Sequence, residues 1–109
     1  MARQFSEEAL ELVAHRFKVL SEPMRLRILN ELRDGERTVS ELVEAMEAGQ
    51  ANVSKHLGVL HRQGLVARRK EGLNVHYRVS DPAIFKLCEW VCDSLETDLE
   101  ARRKALRAG

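Results

Sequence analysis

The chain has 109 residues, enough for one domain with a real core and too few for two. With 44% hydrophobic, 32% charged and only 5% aromatic residues it has globular composition, its core must come from Leu, Val, Ile and Ala, and no apolar run approaches the ~18 residues of a membrane span. The net charge of +1 hides an uneven distribution: residues 50–80 carry six basic side chains against one acidic, as a phosphate-binding segment would, or as a solvated face with no partner would.

Met1–Glu8 lacks the apolar stretch of a secretory signal, so the two cysteines are expected as free thiols in a reducing cytoplasm. Ser6 precedes a helical pattern running to about Leu20, with Leu10, Val13, Phe17 and Leu20 at helical spacing and Glu7 and Glu8 at its positive end. Ser21-Glu22-Pro23 breaks the chain, and Pro23 suits the first turn of a second helix that carries Leu26, Ile28, Leu29 and Leu32 and ends at Asp34-Gly35. Arg37-Thr38-Val39 is a short extended link. Thr38 and Glu41 have the spacing of a capping box, with Ser40 as the other candidate cap.

A third helix to about Met46 is predicted to bury Val39, Leu42, Val43 and Met46. After the tight break Glu47-Ala48-Gly49, a fourth helix from about Gln50 to Arg62 turns Val53, Leu57 and Leu60 inward, and Gly64 stops it. The period then changes to that of strands: Leu65–Lys70 and Val75–Val79, joined by Glu71-Gly72-Leu73-Asn74, read as a β-hairpin. Asp81-Pro82 opens a last helix to about Ala108, striped by Ile84, Cys88, Val91, Leu95 and Leu99. The fold class is therefore mainly α with a small β-hairpin (α+β), in the order α-α-α-α-β-β-α, with a further short strand available at Arg37–Val39.

Two short helices joined by a three-residue turn and followed by a hairpin are the layout of a winged helix-turn-helix. The second helix of such a pair needs an apolar inner face and a small, hydrogen-bonding outer face that fits a major groove. Residues 50–62 meet that requirement. Ala51, Lys55, Gly58 and Arg62 lie opposite the apolar arc, Gln50, Asn52 and Ser54 flank them, and no acidic residue intervenes. His56 is placed beside that face, as a surface or DNA-facing residue. Gln and Asn can pair bidentately with adenine, and Ser can bond several base edges or phosphates. The hairpin adds Arg68, Arg69, Lys70, Asn74, His76 and Arg78, suited to gripping phosphates or entering a minor groove, with Glu71 at the tip opposing that role.

Phe17–Leu29, Gln50–Leu57, Gly64-Leu65-Val66 and Val75–Val79 together resemble, in the right order, successive segments of the ArsR/SmtB family of bacterial winged helix-turn-helix repressors; the likeness covers about residues 10–99. It implies a homodimer whose terminal helices (about 6–20 and 82–108) pack across a twofold axis. It also implies repression by binding double-stranded operator DNA, with release when an inducer binds. By position the DNA-contacting residues of the family fall on Gln50, Ala51, Ser54 and Lys55, and Ala51 stands where relatives often carry a hydroxyl or polar residue.

The family's sensor sites differ between members. Where the arsenite or cadmium type has Cys-x-Cys, this chain reads Thr38-Val39-Ser40. Of the zinc type's last-helix ligands only Asp81 is matched, with Ala83, Ser94 and Thr97 at the other positions. Cys88 and Cys92 remain. Four residues apart, they share one helix face and suit a soft ion such as As(III) or Cd(II), completed across a dimer axis or by His15 of the first helix. Thiol oxidation and plain apolar packing are the alternatives. A winged-helix protein-interaction module without DNA is the competing class. No phosphate loop, catalytic triad order or helical metalloprotease motif points to an enzyme.

Overall fold

The computed structural model describes residues 3–108. The first helix, α1 (Glu7–Leu20), starts where the Ser6 hydroxyl accepts from the Ala9 amide. α2 (Pro23–Glu31) begins on Pro23, whose missing N–H costs nothing in a first turn. The short strand β1 (Arg37–Thr38) leads into α3 (Val39–Met46) and α4 (Gln50–Arg62). Strands β2 (Val66–Glu71) and β3 (Asn74–Val79) follow, and α5 (Ala83–Ala108) closes the chain after the Asp81 carboxylate caps the Ala83 amide at 2.9 Å.

The three strands form an antiparallel sheet in the order β1-β3-β2. Glu71 and Asn74 belong to the strands and pair with each other, so the hairpin turn is only Gly72-Leu73. Gly72 takes φ +61° there, a conformation that favours glycine at the first central position of such a turn.

The core forms where α2, α3 and α4 meet the root of the sheet. Ile28, Leu42, Val53, Leu57 and Leu60 are completely buried, with Leu29, Leu32, Val66, Tyr77 and Ile84 around them. Val39 and Val43 are only half-buried, since they lie toward the margin of α3. The terminal helices differ from the rest. On α1 only Val19 and Leu20 are buried, and on α5 only Ile84 is. The predicted stripes along the remainder stay about half exposed, with Phe17 at 50% and Leu95 at 58%. Trp90 is likewise exposed. No helix among the described residues is long and apolar enough to cross a membrane.

Candidate nucleic-acid interface

Thr38 is the cap of α3: its hydroxyl accepts from the Glu41 amide at 3.2 Å, and the Glu41 carboxylate accepts from the Thr38 amide at 3.0 Å. Those hydrogen bonds hold the Glu41 carboxyl below its ordinary range. The turn to α4 passes through Glu47 at φ +50°, a left-handed residue, while Gly49 is extended. Arg27 of α2 donates to the Met46 carbonyl at 2.8 Å and so satisfies the end of α3.

With this turn fixed, α4 buries Val53, Leu57 and Leu60 and presents Gln50, Ala51, Asn52, Ser54, Lys55 and Arg62 to solvent. Expected beside this face, His56 is instead directed inward. Its side chain is 7% exposed, and Nδ1 accepts from Arg25 Nε at 3.1 Å. The period of α4 places residue 56 between Val53 and Leu60, so His56 belongs with the packed face and is withdrawn from the DNA-facing set. Burial first, then the Arg25 and Lys55 charges, push its imidazole below the ordinary pKa, against Glu22.

The hairpin cations do not form one grip. Pairing puts Arg68 opposite Tyr77 and Lys70 opposite Val75 on one face, and Arg69 opposite His76 and Ala67 opposite Arg78 on the other. On the second face Arg69 donates to Glu36 at 2.9 and 3.0 Å and to Glu71 at 2.6 Å, Arg78 stands 3.9 Å from Glu36, and His76 stands 4.0 Å from Glu71. Hydrogen bonds to Glu71, then Glu36, raise the pKa of the Arg69 guanidinium further within this exposed network. Arg69, expected to grip phosphate, is paired with these two carboxylates in the DNA-free chain. Among the described residues Lys55, Arg62, Arg68 and Lys70 pair with no carboxylate, and Asn74 is exposed at the start of β3.

Cys88 and Cys92 are free, exposed thiols on α5. They line an apolar groove with Phe17, Leu20, Leu26, Val91 and Leu95, and on their other side a second groove against α2. The Cys92 thiol donates to the Glu96 carboxylate at 3.8 Å. Glu96, followed by desolvation and then Asp93, holds that thiol above its ordinary pKa. Among the described residues no group of three or more His, Cys, Asp or Glu side chains could hold a metal ion. His15 does not join the thiols, because its Nε2 is hydrogen-bonded to Gln63 at 3.1 Å.

The family model for "Bacterial regulatory protein, arsR family" matches residues 22–68, from the start of α2 into the hairpin. The chain is similar over 108 residues, at 37% identity and 95% coverage of each chain, to the uncharacterized HTH-type transcriptional regulator Rv0081 of Mycobacterium tuberculosis. It belongs to the ArsR family. The crystal structure of Rv0081 superposes with a TM-score of 0.77 at 37% identity, over 89% of this chain and 98% of that one. A solution structure described as the homodimeric winged helix-turn-helix DNA-binding domain of Mb0332 from Mycobacterium bovis matches with a TM-score of 0.73 at 33% identity, over 93% and 95% of the two chains. This ArsR-family chain is thus a winged helix-turn-helix transcriptional regulator and not an enzyme, with α3 and α4 as its helix-turn-helix and β2–β3 as its wing.

Several residues that shape this interface carry no local sequence signal. Arg25, Arg27, Glu36 and Gln63 act through partners 6 to 48 positions away, which periodicity cannot relate. The excess of arginine at the start of α2, in a helix with no acidic residue in its first turn, was the only hint that these side chains serve as donors rather than as solvated charge.

Proposed function

We propose that this ArsR-family regulator is a homodimeric repressor that binds operator DNA through the outer face of α4 and is released when a thiophilic ion such as Cd(II) or As(III) binds Cys88 and Cys92. The observation that carries the DNA-binding part is the α4 face itself: Gln50, Ala51, Asn52, Ser54, Lys55 and Arg62 are exposed over a fully buried Val53, Leu57 and Leu60. Gln50 and Asn52 can read base edges, Ala51 leaves room for close approach, and Lys55, with Arg68 and Lys70 of the wing, supplies charge for phosphates. A protein-interaction module would need an apolar face on α4, and the exposed residues there are polar or small.

The dimer reading is supported by the stripes of α1 and α5, whose Leu10, Val13, Phe17, Val91, Leu95 and Leu99 are exposed among the described residues. The homodimer named in the Mb0332 description points the same way. Two α4 helices about one DNA turn, ~34 Å, apart would reach successive major grooves. The sensing part rests on two soft donors one turn apart on the same helix, with a second chain needed to complete a ligand set. Holding α5 against its partner copy would change the spacing of the two α4 helices and so couple the sites.

Thiol oxidation is the second reading. Both readings need the thiolate, which Glu96 disfavours at Cys92. The same carboxylate attracts a metal cation such as Cd(II), which favours ion binding over oxidation.

The test is fluorescence anisotropy of the reduced protein on a labelled duplex from its own upstream region, before and after Cd(II) or arsenite, with the Cys88→Ser/Cys92→Ser variant alongside. Release of the wild type but not of the variant is the expected result. Equal behaviour of the two proteins would remove the cysteines from sensing.

A further inference from the structure

The imidazole of His56 is a buried titratable group on α4, turned away from the exposed reading face. Arg25 of α2 reaches it with Nε at 3.1 Å and at the same time donates through Nη1 to the Val19 carbonyl, at the end of α1, at 3.0 Å. One guanidinium therefore ties three helices together, and its contact on α4 lies directly behind Ser54 and Lys55. Because Arg has only donors, His56 Nδ1 must be the acceptor, with the ring proton on Nε2. A second ring proton would remove that acceptor and set one cation against another in a buried contact.

We infer that Arg25 and His56 are positioning residues of the DNA interface, holding the reading face of α4 in register only while the His56 ring is neutral. The inference rests on the DNA-binding reading above. The charged groups that face the ring are Arg25 on α2, Glu22 at the cap of α2 and Lys55 on α4; α1 contributes the Val19 carbonyl through Arg25. Arg25 and Lys55 oppose protonation and Glu22 favours it, and burial adds to the opposition. The ring thus takes its proton below the ordinary imidazole value of about 6.5.

The direction of the effect is diagnostic. Any positive charge that a protein gains at its surface on acidification strengthens attraction to phosphate. Loss of DNA binding on acidification therefore has to come from a group that acts through structure. Once the pH is a unit below the His56 pKa, only about a tenth of the protein keeps the clamp, and affinity should fall about tenfold, with a further tenfold for each additional unit.

The experiment measures anisotropy with the upstream duplex from pH 7.5 down to 5 at fixed ionic strength, for wild type, His56→Ala and His56→Asn. Asn keeps an acceptor on Cγ, where Nδ1 was, and cannot charge. The ring tautomer and titration of His56 are followed by nitrogen NMR on the DNA-free protein. The expected results are an acid-sensitive wild type, a His56→Ala protein weakened at all pH, and a His56→Asn protein that recovers most of the neutral affinity with a flat profile. In NMR, Nδ1 should be the unprotonated nitrogen. If wild type binds with pH-independent affinity, or His56→Asn shares its acid loss, or Nδ1 carries the proton, the inference is overturned while the DNA reading stands. If no duplex is bound at any pH, the DNA reading fails and this role fails with it.

Discussion

The Nε2 of His15 and the Oε1 of Gln63 stand 3.1 Å apart, so the first helix is tied to the residue that caps the end of α4. Arg16 adds a bond to the Gln63 carbonyl at 3.3 Å. The helix with the largest uncovered apolar stripe near the start of the chain thus also holds the far end of the helix that carries the reading face.

Gln63→Ala removes the His15 bond and leaves the Arg16 bond, which goes to the backbone. Exposed hydrogen bonds of this kind contribute about 0.5–1.5 kcal/mol, so the thermal midpoint should fall by no more than about 8 °C. DNA affinity should fall several-fold, because the end of α4 is released. Calorimetry paired with anisotropy checks this. An unchanged DNA affinity would show that α1 does not position α4.

Lys55 and Arg69 should behave differently, although both are basic and both lie in the cationic central segment. Lys55 pairs with no carboxylate among the described residues, whereas Arg69 is matched by Glu36 and Glu71. Lys55→Ala should reduce the slope of log affinity against log salt by about 1, while Arg69→Ala should leave the slope within error of wild type. A steeper effect from Arg69→Ala would mean that DNA pulls it out of its carboxylate network.

Much of the fold was legible because it follows from short-range rules. The Ser6 and Thr38 caps, the Pro23 start, the inward Val53-Leu57-Leu60 arc and the change of period at the hairpin are all local, and each stands where the pattern placed it. The turn inside the helix-turn-helix was harder. Gly49 marks it, yet the left-handed residue is Glu47, a position that no propensity singles out. His56 was misplaced because a polar residue at the edge of an apolar arc looks solvated until its partner is known, and that partner, Arg25, lies 31 positions earlier. The carboxylate pairing of Arg69 is not legible for a similar reason: Glu36 lies 33 positions earlier, next to β1, which joins the sheet beside β3. The stripes of α1 and α5 are legible as apolar, yet most of their residues are exposed among the described residues, which periodicity alone does not foretell.

Phe17→Glu places a charge in the middle of the α1 stripe, beside the groove that Cys88, Val91 and Leu95 line from α5. Because Phe17 is half exposed, the substitution should leave the fold intact and shift the protein from dimer to monomer in sedimentation at micromolar concentration. DNA affinity should fall with it, since two half-sites would no longer be bound by one particle. A Phe17→Glu protein that sediments as a dimer would place the subunit interface elsewhere.

The most direct test of the central claim compares wild type and Gln50→Ala by anisotropy on two labelled duplexes of equal length, one from the upstream region of this chain's own gene and one of random sequence. If α4 reads DNA, wild type prefers the upstream duplex, and Gln50→Ala weakens that complex by about 1–3 kcal/mol while scarcely changing the random one. Equal losses on both duplexes, or no preference by the wild type, would contradict the account.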